Sequence, residues 1–242
     1  MTVLAKFLSK LFINNTLKAL YLSFAILFIG CEANNAYIDI TGPAMGTSYT
    51  IRLVPKRGSN PNTDLIKSKI DSTLESINDQ MSTYVINSDI SLFNKLGENA
   101  AIVISSDFKK VIMRSIYWSE KSNGAFDITS LPLTNIWREG KKDREYKEKW
   151  EPPSDLDIAI AKDKVGFKKI KLSQNSLIKA KKGQQIDVNA IAKGWGVDHL
   201  FSLVRSFGYS NYMVDIGGEV KVSGKNIQKK TPKTCRTIPI NK

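Results

Sequence analysis

One short cluster of polar residues holds the groups best suited to binding a phosphate. In the segment from Ile186 to Gly194, Asp187 comes at the end of a predicted strand and Lys193 lies within two turns of the helix that follows. The free N–H groups and the dipole at a helix N-terminus favour a bound phosphate, and Lys193 would add a positive charge. Asp187 could instead be only the helix N-cap, which is the favoured interpretation when this cluster is taken alone.

Two further clusters combine glycine with carboxylates. Gly124-Ala-Phe-Asp127 joins a predicted helix stop to an aromatic ring and a carboxylate, and by itself it predicts only a turn. In Asp215-Ile-Gly-Gly-Glu219, two carboxylates flank a glycine pair, where the backbone can approach a ligand closely. A metal site and a tight hairpin explain this second cluster equally well.

Residue counts exclude several common catalytic centres. His199 is the only histidine, so a Ser-His-Asp triad would have to use it, and its place inside a predicted helix favours a solvated side chain instead. One histidine and two cysteines are too few for a Cys/His zinc site. There is no P-loop, and no G-x-G-x-x-G follows a strand. The net charge of +13 comes largely from scattered lysines, so we predict no nucleic-acid binding.

Short strands and single helices must position these clusters. Their mixture of hairpins and isolated helices predicts an α+β fold rather than a doubly wound sheet. Residues 82–94 are expected to be irregular, and residues 138–151, which are dense in mixed charge, an exposed insertion. The predicted strands are residues 37–41, 47–54, 101–105, 167–172, 176–180, 184–188 and 211–216, and the predicted helices begin near residues 62, 106, 154 and 187.

The first thirty residues predict export. They contain three lysines and no acidic residue, and their apolar run is too short for a comfortable membrane span but suits a signal peptide. Gly30 before Cys31 resembles a bacterial lipoprotein box, so we expect residues 1–30 to be a lipoprotein signal peptide and Cys31 to be lipidated. An ordinary signal peptide is the alternative. Lipidation would tether the protein without spanning the membrane. Cys235 is the other cysteine, which leaves no disulfide framework.

Six motifs, taken together and in order, resemble those of the ApbE-type FAD:protein FMN transferases. The resemblance covers residues 37–226. It implies an α+β, ApbE-like (T-fold-related) fold of mixed sheets with packed helices, in a periplasmic lipoprotein anchored to a membrane, for which we expect the inner membrane. The motifs are Gly42-Pro-Ala-Met-Gly-Thr47, Met81-Ser-Thr-Tyr84, Ser88-Asp-Ile-Ser91, Gly124-Ala-Phe-Asp-Ile-Thr129, Ile186-Asp-Val-Asn-Ala-Ile-Ala-Lys-Gly194 and Val214-Asp-Ile-Gly-Gly-Glu219.

The resemblance also implies a reaction and its site. In a Mg²⁺-dependent step, FAD is split at its pyrophosphate, FMN is esterified to a threonine hydroxyl of a partner protein, and AMP leaves. Such a phosphoryl centre needs positive charge and an orienting pocket more than covalent chemistry. The implied partners are FAD, a flavin-acceptor protein with a target threonine, and a membrane. The implied FAD-binding residues are Met45, Tyr84, Ala125, Phe126, Asp127, Asp187 and Lys193, and the backbone carbonyl of Ala190 would ligate Mg²⁺.

The sequence changes character after Asn226. Residues 227–242 have neither strand nor helix period, whereas members of the resembled family continue into further strands that supply a histidine and most Mg²⁺ ligands. We therefore expect a transferase domain at residues 31–226 that is incomplete at its C-terminus, an aberrant tail at 227–242, and catalytic residues that stay unassigned. Two alternatives stay open: a non-catalytic flavin-binding remnant or pseudogene product, and a basic surface-binding lipoprotein with no active site.

Overall fold

The computed structural model describes residues 36–56, 58, 61–142 and 152–231. The predicted signal peptide, Cys31 and residues 232–242 lie outside the described residues, as do residues 143–151 of the expected insertion. The chain divides into two units after Ala36, and every element below belongs to the second unit.

The elements follow one another in an order that mixes hairpins with single helices, as predicted. They are β1 (Ile38–Ala44), β2 (Thr47–Leu53), α1 (Thr63–Met81), α2 (Asp89–Lys95), β3 (Ala101–Val103), α3 (Ser106–Lys121), α4 (Leu131–Lys142), α5 (Asp155–Asp163), a 3-10 turn (Phe167–Lys169), β4 (Ile170–Ser173), β5 (Ser176–Lys179), α6 (Asn189–Ser206), β6 (Tyr212–Ile216) and β7 (Glu219–Ser223).

Two antiparallel sheets organise these elements. The larger sheet has the strand order β1-β2-β6-β7, so two hairpins pair through β2 and β6, and the smaller sheet has the order β3-β5-β4. In the register of β2 and β6, Tyr49 lies opposite Ile216. This pairing places the β1–β2 turn and the β6–β7 turn at the same end of the larger sheet.

Two apolar clusters form the core, and α6 contributes to both. Val204 of α6 is buried with the larger sheet and α1, whereas Ala192 is buried with α2, α3 and β5. The apolar stripe of α1, predicted from its helical spacing, is buried along its whole length. Its members are Ile66, Ile70, Leu74, Ile77 and Met81. No helix of the described part of the chain is both long and apolar enough to cross a membrane.

The first predicted turn is shorter than expected. Gly42 and Pro43 belong to β1, and the turn consists of Met45 and Gly46 alone, with φ of 48° and 77°. Positive φ at both positions gives a two-residue hairpin turn whose twist matches that of the strands. Pro43 is accommodated because β1 lies at the edge of the larger sheet.

Three other predictions of secondary structure are wrong. Residues 82–94 are not irregular throughout, since α2 begins at Asp89, and Ser88 caps it by accepting from the Ser91 N–H. The helix α4 was not predicted and extends into the expected insertion. Residues 184–188 form no strand, and α6 begins at Asn189 rather than at residue 187. The segments at residues 89–95 and 184–188 are too short for their period to identify them, whereas α4 was missed although its 12 residues complete three turns.

Candidate functional site

The N-terminus of α6 is the centre of the candidate site. Val188 is the N-cap residue and provides no capping side chain, so the prediction that Asp187 is the N-cap is wrong by one position. Asp187 nevertheless serves the helix, because its Oδ1 accepts a 2.8 Å hydrogen bond from the Asn189 N–H. Ile191 and Ala192 donate to the Val188 carbonyl. Of the first-turn donors, this leaves the Ala190 N–H without an acceptor among the described residues.

A backbone hydrogen bond joins the motif at Asp127 to the motif at Asp187. The Asp187 N–H donates to the Ile128 carbonyl over 2.7 Å. The Asp127 carboxylate accepts from the Thr129 N–H and hydroxyl at 2.8 and 2.6 Å, and from the Phe167 N–H at 3.0 Å. Asp127 therefore holds its own loop in place, and that loop in turn holds Asp187.

Asn94 is a positioning residue that the sequence analysis missed. Its side-chain amide donates to the Ile186 carbonyl at 2.9 Å and accepts from the Ile186 N–H at 2.8 Å. These two bonds replace the strand pairing that was predicted for residues 184–188. The only signal in the sequence is a polar residue near the end of α2, which does not specify a partner 92 residues away.

Lys193 connects α6 to the β6–β7 turn. Its Nζ lies 3.0 Å from Glu219 Oε1, and the two side chains are 33% and 42% exposed. The turn itself consists of Gly217 and Gly218, both with positive φ, and Asp215 Oδ1 accepts from the Gly218 N–H at 2.9 Å. Of the two explanations of this cluster, the tight hairpin is therefore the one that the geometry supports.

Met45 lies at the same end of the sheet, against α6. The Gly217 N–H donates to the Ser48 carbonyl at 3.1 Å, which brings the two hairpin turns side by side. The half-buried Met45 packs against both core clusters, and its Sδ lies 3.4 Å from the position of a Cβ on Gly196. A glycine at position 196 therefore allows the β1–β2 turn to approach α6 closely.

The aromatic candidates differ in their surroundings. Phe126 is half-buried and packs against the second core cluster, and Ala125 beside it is exposed. Tyr84 lies on a turn after α1 with 78% of its surface exposed. Among the described residues, Tyr84 makes no ring or side-chain hydrogen-bond contact with the other candidates. The fold thus connects Met45, Asp127, Asp187 and Lys193 through groups on or beside α6 and leaves the Tyr84 ring exposed to solvent.

His199 does not belong to this arrangement. Its ring packs on Trp195 with centroids 4.8 Å apart, and its Nε2 lies 3.8 Å from Asp107 Oδ2. The side chain is 33% exposed. The prediction of a solvated helical histidine therefore holds only in part, because one face of the ring is covered by Trp195.

A cleft of about 760 Å³ adjoins the candidate site along α6. It shares Ala190 and Glu219 with the site and extends between α3 and β7. Three separate elements form it, so no local motif in the sequence predicts it. The basic and aromatic side chains that line it are Lys110, Arg114 and Trp118 of α3, Trp195 of α6 and Lys221 of β7.

The described residues do not form a magnesium site by themselves. The Ala190 carbonyl, the predicted ligand, would be one oxygen donor. Within residues 36–231, in the ranges that the structure describes, no group of three or more acidic, histidine or cysteine side chains is placed to hold a metal ion. The nearby carboxylates of Asp187, Asp215 and Glu219 are each engaged with protein groups. Mg²⁺ prefers several oxygen ligands in octahedral geometry, which this set does not offer.

Comparison with known proteins yields one family. The model of the ApbE family matches residues 45–239. The FAD:protein FMN transferase of Vibrio cholerae serotype O1 is 33% identical over 83% of this chain and 59% of its own length. The enzyme of the same name from Haemophilus influenzae is 33% identical over 85% of this chain and 60% of its own. The chain therefore spans about 60% of the length of these curated relatives.

Solved structures agree with the sequence matches. The flavin transferase ApbE from Vibrio cholerae has a TM-score of 0.73 at 32% identity, over 80% of this chain and 61% of that one. The apo form of the Pseudomonas stutzeri flavinyl transferase ApbE has a TM-score of 0.71 at 30% identity, over 80% and 60%.

Proposed function

Because the chain belongs to the ApbE family, we propose that it binds FAD around the N-terminus of α6 and acts as an FAD:protein FMN transferase. The transferred FMN would be esterified to a threonine hydroxyl of a flavin-acceptor protein, and AMP would be released. The α+β, ApbE-like fold expected from the sequence is confirmed by the likeness to solved ApbE structures.

The observation that carries the proposal is the convergence of four separated motifs on the N-terminal half of one helix, α6. The Asp127 loop reaches Asp187 through the Ile128 carbonyl, and the Asp187 carboxylate bonds the first residue of α6. Lys193 reaches Glu219 after the β6–β7 turn, and Met45 packs where α6 has a glycine. Residues far apart in the sequence thus meet along the N-terminal half of a single helix.

This helix end suits the pyrophosphate of FAD. The exposed Ala190 provides a backbone N–H that the helix cannot use, and the dipole adds positive potential. Lys193 is paired with Glu219, but the two side chains are only partly buried and such ion pairs contribute about 0–1 kcal/mol, so a phosphate can displace the carboxylate. The exposed ring of Tyr84 and the half-buried ring of Phe126 offer faces for stacking against a planar ring.

The described residues define neither a complete Mg²⁺ site nor a set of catalytic residues. The described part of the chain offers one carbonyl, that of Ala190, and no set of carboxylates for the ion. Comparing FAD affinity with and without Mg²⁺ tests this part of the proposal directly.

We further propose that the protein is exported and lipidated at Cys31, with the transferase domain in the periplasm at the inner membrane. The support is the charge and apolar pattern of residues 1–31. Metabolic labelling with a radioactive fatty acid tests it: the full chain should be labelled and a Cys31→Ala variant should not. Label that persists in Cys31→Ala would contradict lipidation at that residue.

A transfer assay tests the activity. The purified chain is incubated with FAD, Mg²⁺ and an acceptor domain that carries a target threonine, and covalent flavin fluorescence is read from a denaturing gel. A matched acceptor with Thr→Val at the target should remain dark. FAD binding without transfer would support the non-catalytic flavin-binding alternative, and a folded chain with no affinity for FAD would contradict both.

A further inference from the structure

A lysine side chain is fully buried in the smaller sheet. Lys179 of β5 has no exposed surface, and in the part of the chain that the structure describes no other Asp, Glu, Lys or Arg is buried to this degree. Among the same residues, no carboxylate lies within ion-pair distance of its Nζ. Because removing a charged group from water is costly, an apolar side chain would fill this space at lower free energy. The amine is therefore expected to have a role other than packing.

The Lys179 amine lies at the C-terminal end of α2. Its Nζ donates to the Asn94 carbonyl at 2.9 Å and lies 5.2 Å from the centre of the Phe93 ring. The last carbonyls of a helix have no donor within the helix, and the helix dipole favours a cation beside them. Since α2 has only seven residues, it depends on such tertiary contacts to remain helical up to Asn94.

The main chain of Lys179 holds the same region a second time. The Asn99 N–H donates to the Lys179 carbonyl at 2.7 Å, and the Lys179 N–H donates to the Ala100 carbonyl at 3.0 Å. These bonds extend the pairing of β5 with β3. One residue of β5 thus holds both ends of the connection from α2 to β3, with its side chain at Asn94 and with its main chain at Asn99 and Ala100.

Asn94 connects Lys179 to the candidate site. Its backbone carbonyl accepts from Lys179, while its side-chain amide makes the two hydrogen bonds that hold Ile186. Asp187 follows Ile186 directly, and its carboxylate accepts from the first N–H of α6. A side chain can hold its partner in one place only if its own backbone is held, so the position of Ile186 depends on the end of α2.

We propose that Lys179 is a positioning residue of the FAD site, which acts through Asn94 to fix Ile186 and Asp187. This inference rests on the proposed function, since FAD affinity is the property that Lys179 affects. Lys179 does not contact the ligand, because its side chain is fully buried. A local arrangement that is costly for folding is expected where it supports a functional site.

Lys179→Met is the variant that tests this role, because it removes the amine and keeps an unbranched side chain. The exposed Lys171→Met, in the neighbouring strand β4, is the matched control. FAD is titrated against each full-length variant, and circular dichroism checks that each one is folded. Exchange of the Ile186 N–H with solvent is followed by NMR without FAD. The Val214 N–H, in the centre of the larger sheet, is the reference for unfolding of the whole domain.

The expected result for Lys179→Met is a loss of FAD affinity of about fivefold, as for the loss of one hydrogen bond. The Ile186 N–H should exchange faster, and the Val214 N–H should exchange as in the wild type. Lys171→Met should change neither quantity. In an Asn94→Ala background, Lys179→Met should cause no further loss of affinity, because residues that act through one another are not additive.

Unchanged FAD affinity in Lys179→Met, with wild-type affinity intact, would overturn this role and leave the proposed function standing. A further loss of similar size in the Asn94→Ala background would overturn the action through Asn94. Faster exchange at Val214 as well as at Ile186 would mean that Lys179 stabilises the whole fold, and the role would again be wrong.

The failure of the proposed function gives a different result. A folded wild-type chain with no affinity for FAD would contradict that function and, with it, the role of Lys179 in FAD binding. The exchange of the Ile186 N–H, which is measured without FAD, would then decide by itself whether Lys179 holds this segment through Asn94.

Discussion

The N–H of Asp187 donates a 2.7 Å hydrogen bond to the carbonyl of Ile128. This bond joins the two motifs that carry most of the proposed FAD-binding residues, although they are about sixty residues apart in the sequence. Each motif is also fixed by a second group: Asp127 bonds its own loop to Phe167, and Asn94 bonds Ile186. Loss of either support should therefore weaken the FAD site as well as the fold.

Asn94→Ala should destabilise the protein by about 2 kcal/mol, because the Ile186 N–H and carbonyl lose their partner in a partly buried position. Affinity for FAD should fall with it, since Asp187 follows Ile186 directly. Urea unfolding and a FAD titration measure the two effects. The matched control is Asn87→Ala, an exposed position where no change is expected. A variant as stable as the wild type would show that this segment is held by other contacts.

Asp127→Ala should cost about 3 kcal/mol, since three donors lose their side-chain acceptor. Asp127→Asn should be less destabilising, because the amide oxygen can still accept from Thr129. Part of the loss should remain, because the amide nitrogen cannot accept from the Phe167 N–H. Thermal unfolding of the two variants distinguishes these contributions. Equal losses in both variants would mean that the charge, rather than the geometry of the acceptor, matters.

Lys193→Met should separate binding from stability. The ion pair with Glu219 is partly exposed to solvent, so the free energy of unfolding should change by less than about 1 kcal/mol. FAD affinity should fall about tenfold if Lys193 contacts a phosphate, which corresponds to about 1.4 kcal/mol. Lys67→Met, which removes an ion pair of similar exposure with Asp71, should leave FAD affinity unchanged. The same affinity in Lys193→Met as in wild type would remove Lys193 from the site.

Lys179 should make stability depend on pH. The side chain is fully buried, its Nζ donates to the Asn94 carbonyl at 2.9 Å, and burial lowers the pKa of its ammonium group below the ordinary 10.5. Between the lowered pKa and the ordinary value, the unfolded state binds more protons than the folded state. The free energy of unfolding therefore rises with pH in that interval, and the penalty for the buried charge is complete below it.

Lys179→Met should flatten this pH dependence. The measurement is urea unfolding of the wild type and the variant at several pH values between about 8 and about 10, where the difference between their slopes isolates Lys179. The exposed Lys171→Met should retain the wild-type slope. A slope that is the same in all three proteins would mean that Lys179 binds the same number of protons in the folded and unfolded states over this range, so that burial does not lower its pKa there.

Local pattern predicted the helices α1, α3 and α6, and it offered the hairpin around Gly217 and Gly218 as one of two interpretations. The helix α1 was predictable because five apolar residues lie on one of its faces. A helix that buries one face places its apolar residues at this helical spacing. The same argument fails for α2, whose seven residues complete barely two turns. It also fails for residues 184–188. This segment is held by the Asn94 side chain, and its apolar pattern is the same as that of a strand hydrogen-bonded within a sheet.

The sequence by itself determined the α+β class and the family, since the order and residue types of six motifs are local properties that survive without coordinates. It also supplied Asp127, Asp187 and Lys193 as candidates. Only the tertiary structure decided what these residues touch: the Ile128 carbonyl, the N-terminus of α6 and Glu219. The cleft along α6 belongs to the same category. Its walls come from α3, α6 and β7. Residues that meet only through tertiary packing have no characteristic spacing in the sequence, so the sequence did not predict this cleft.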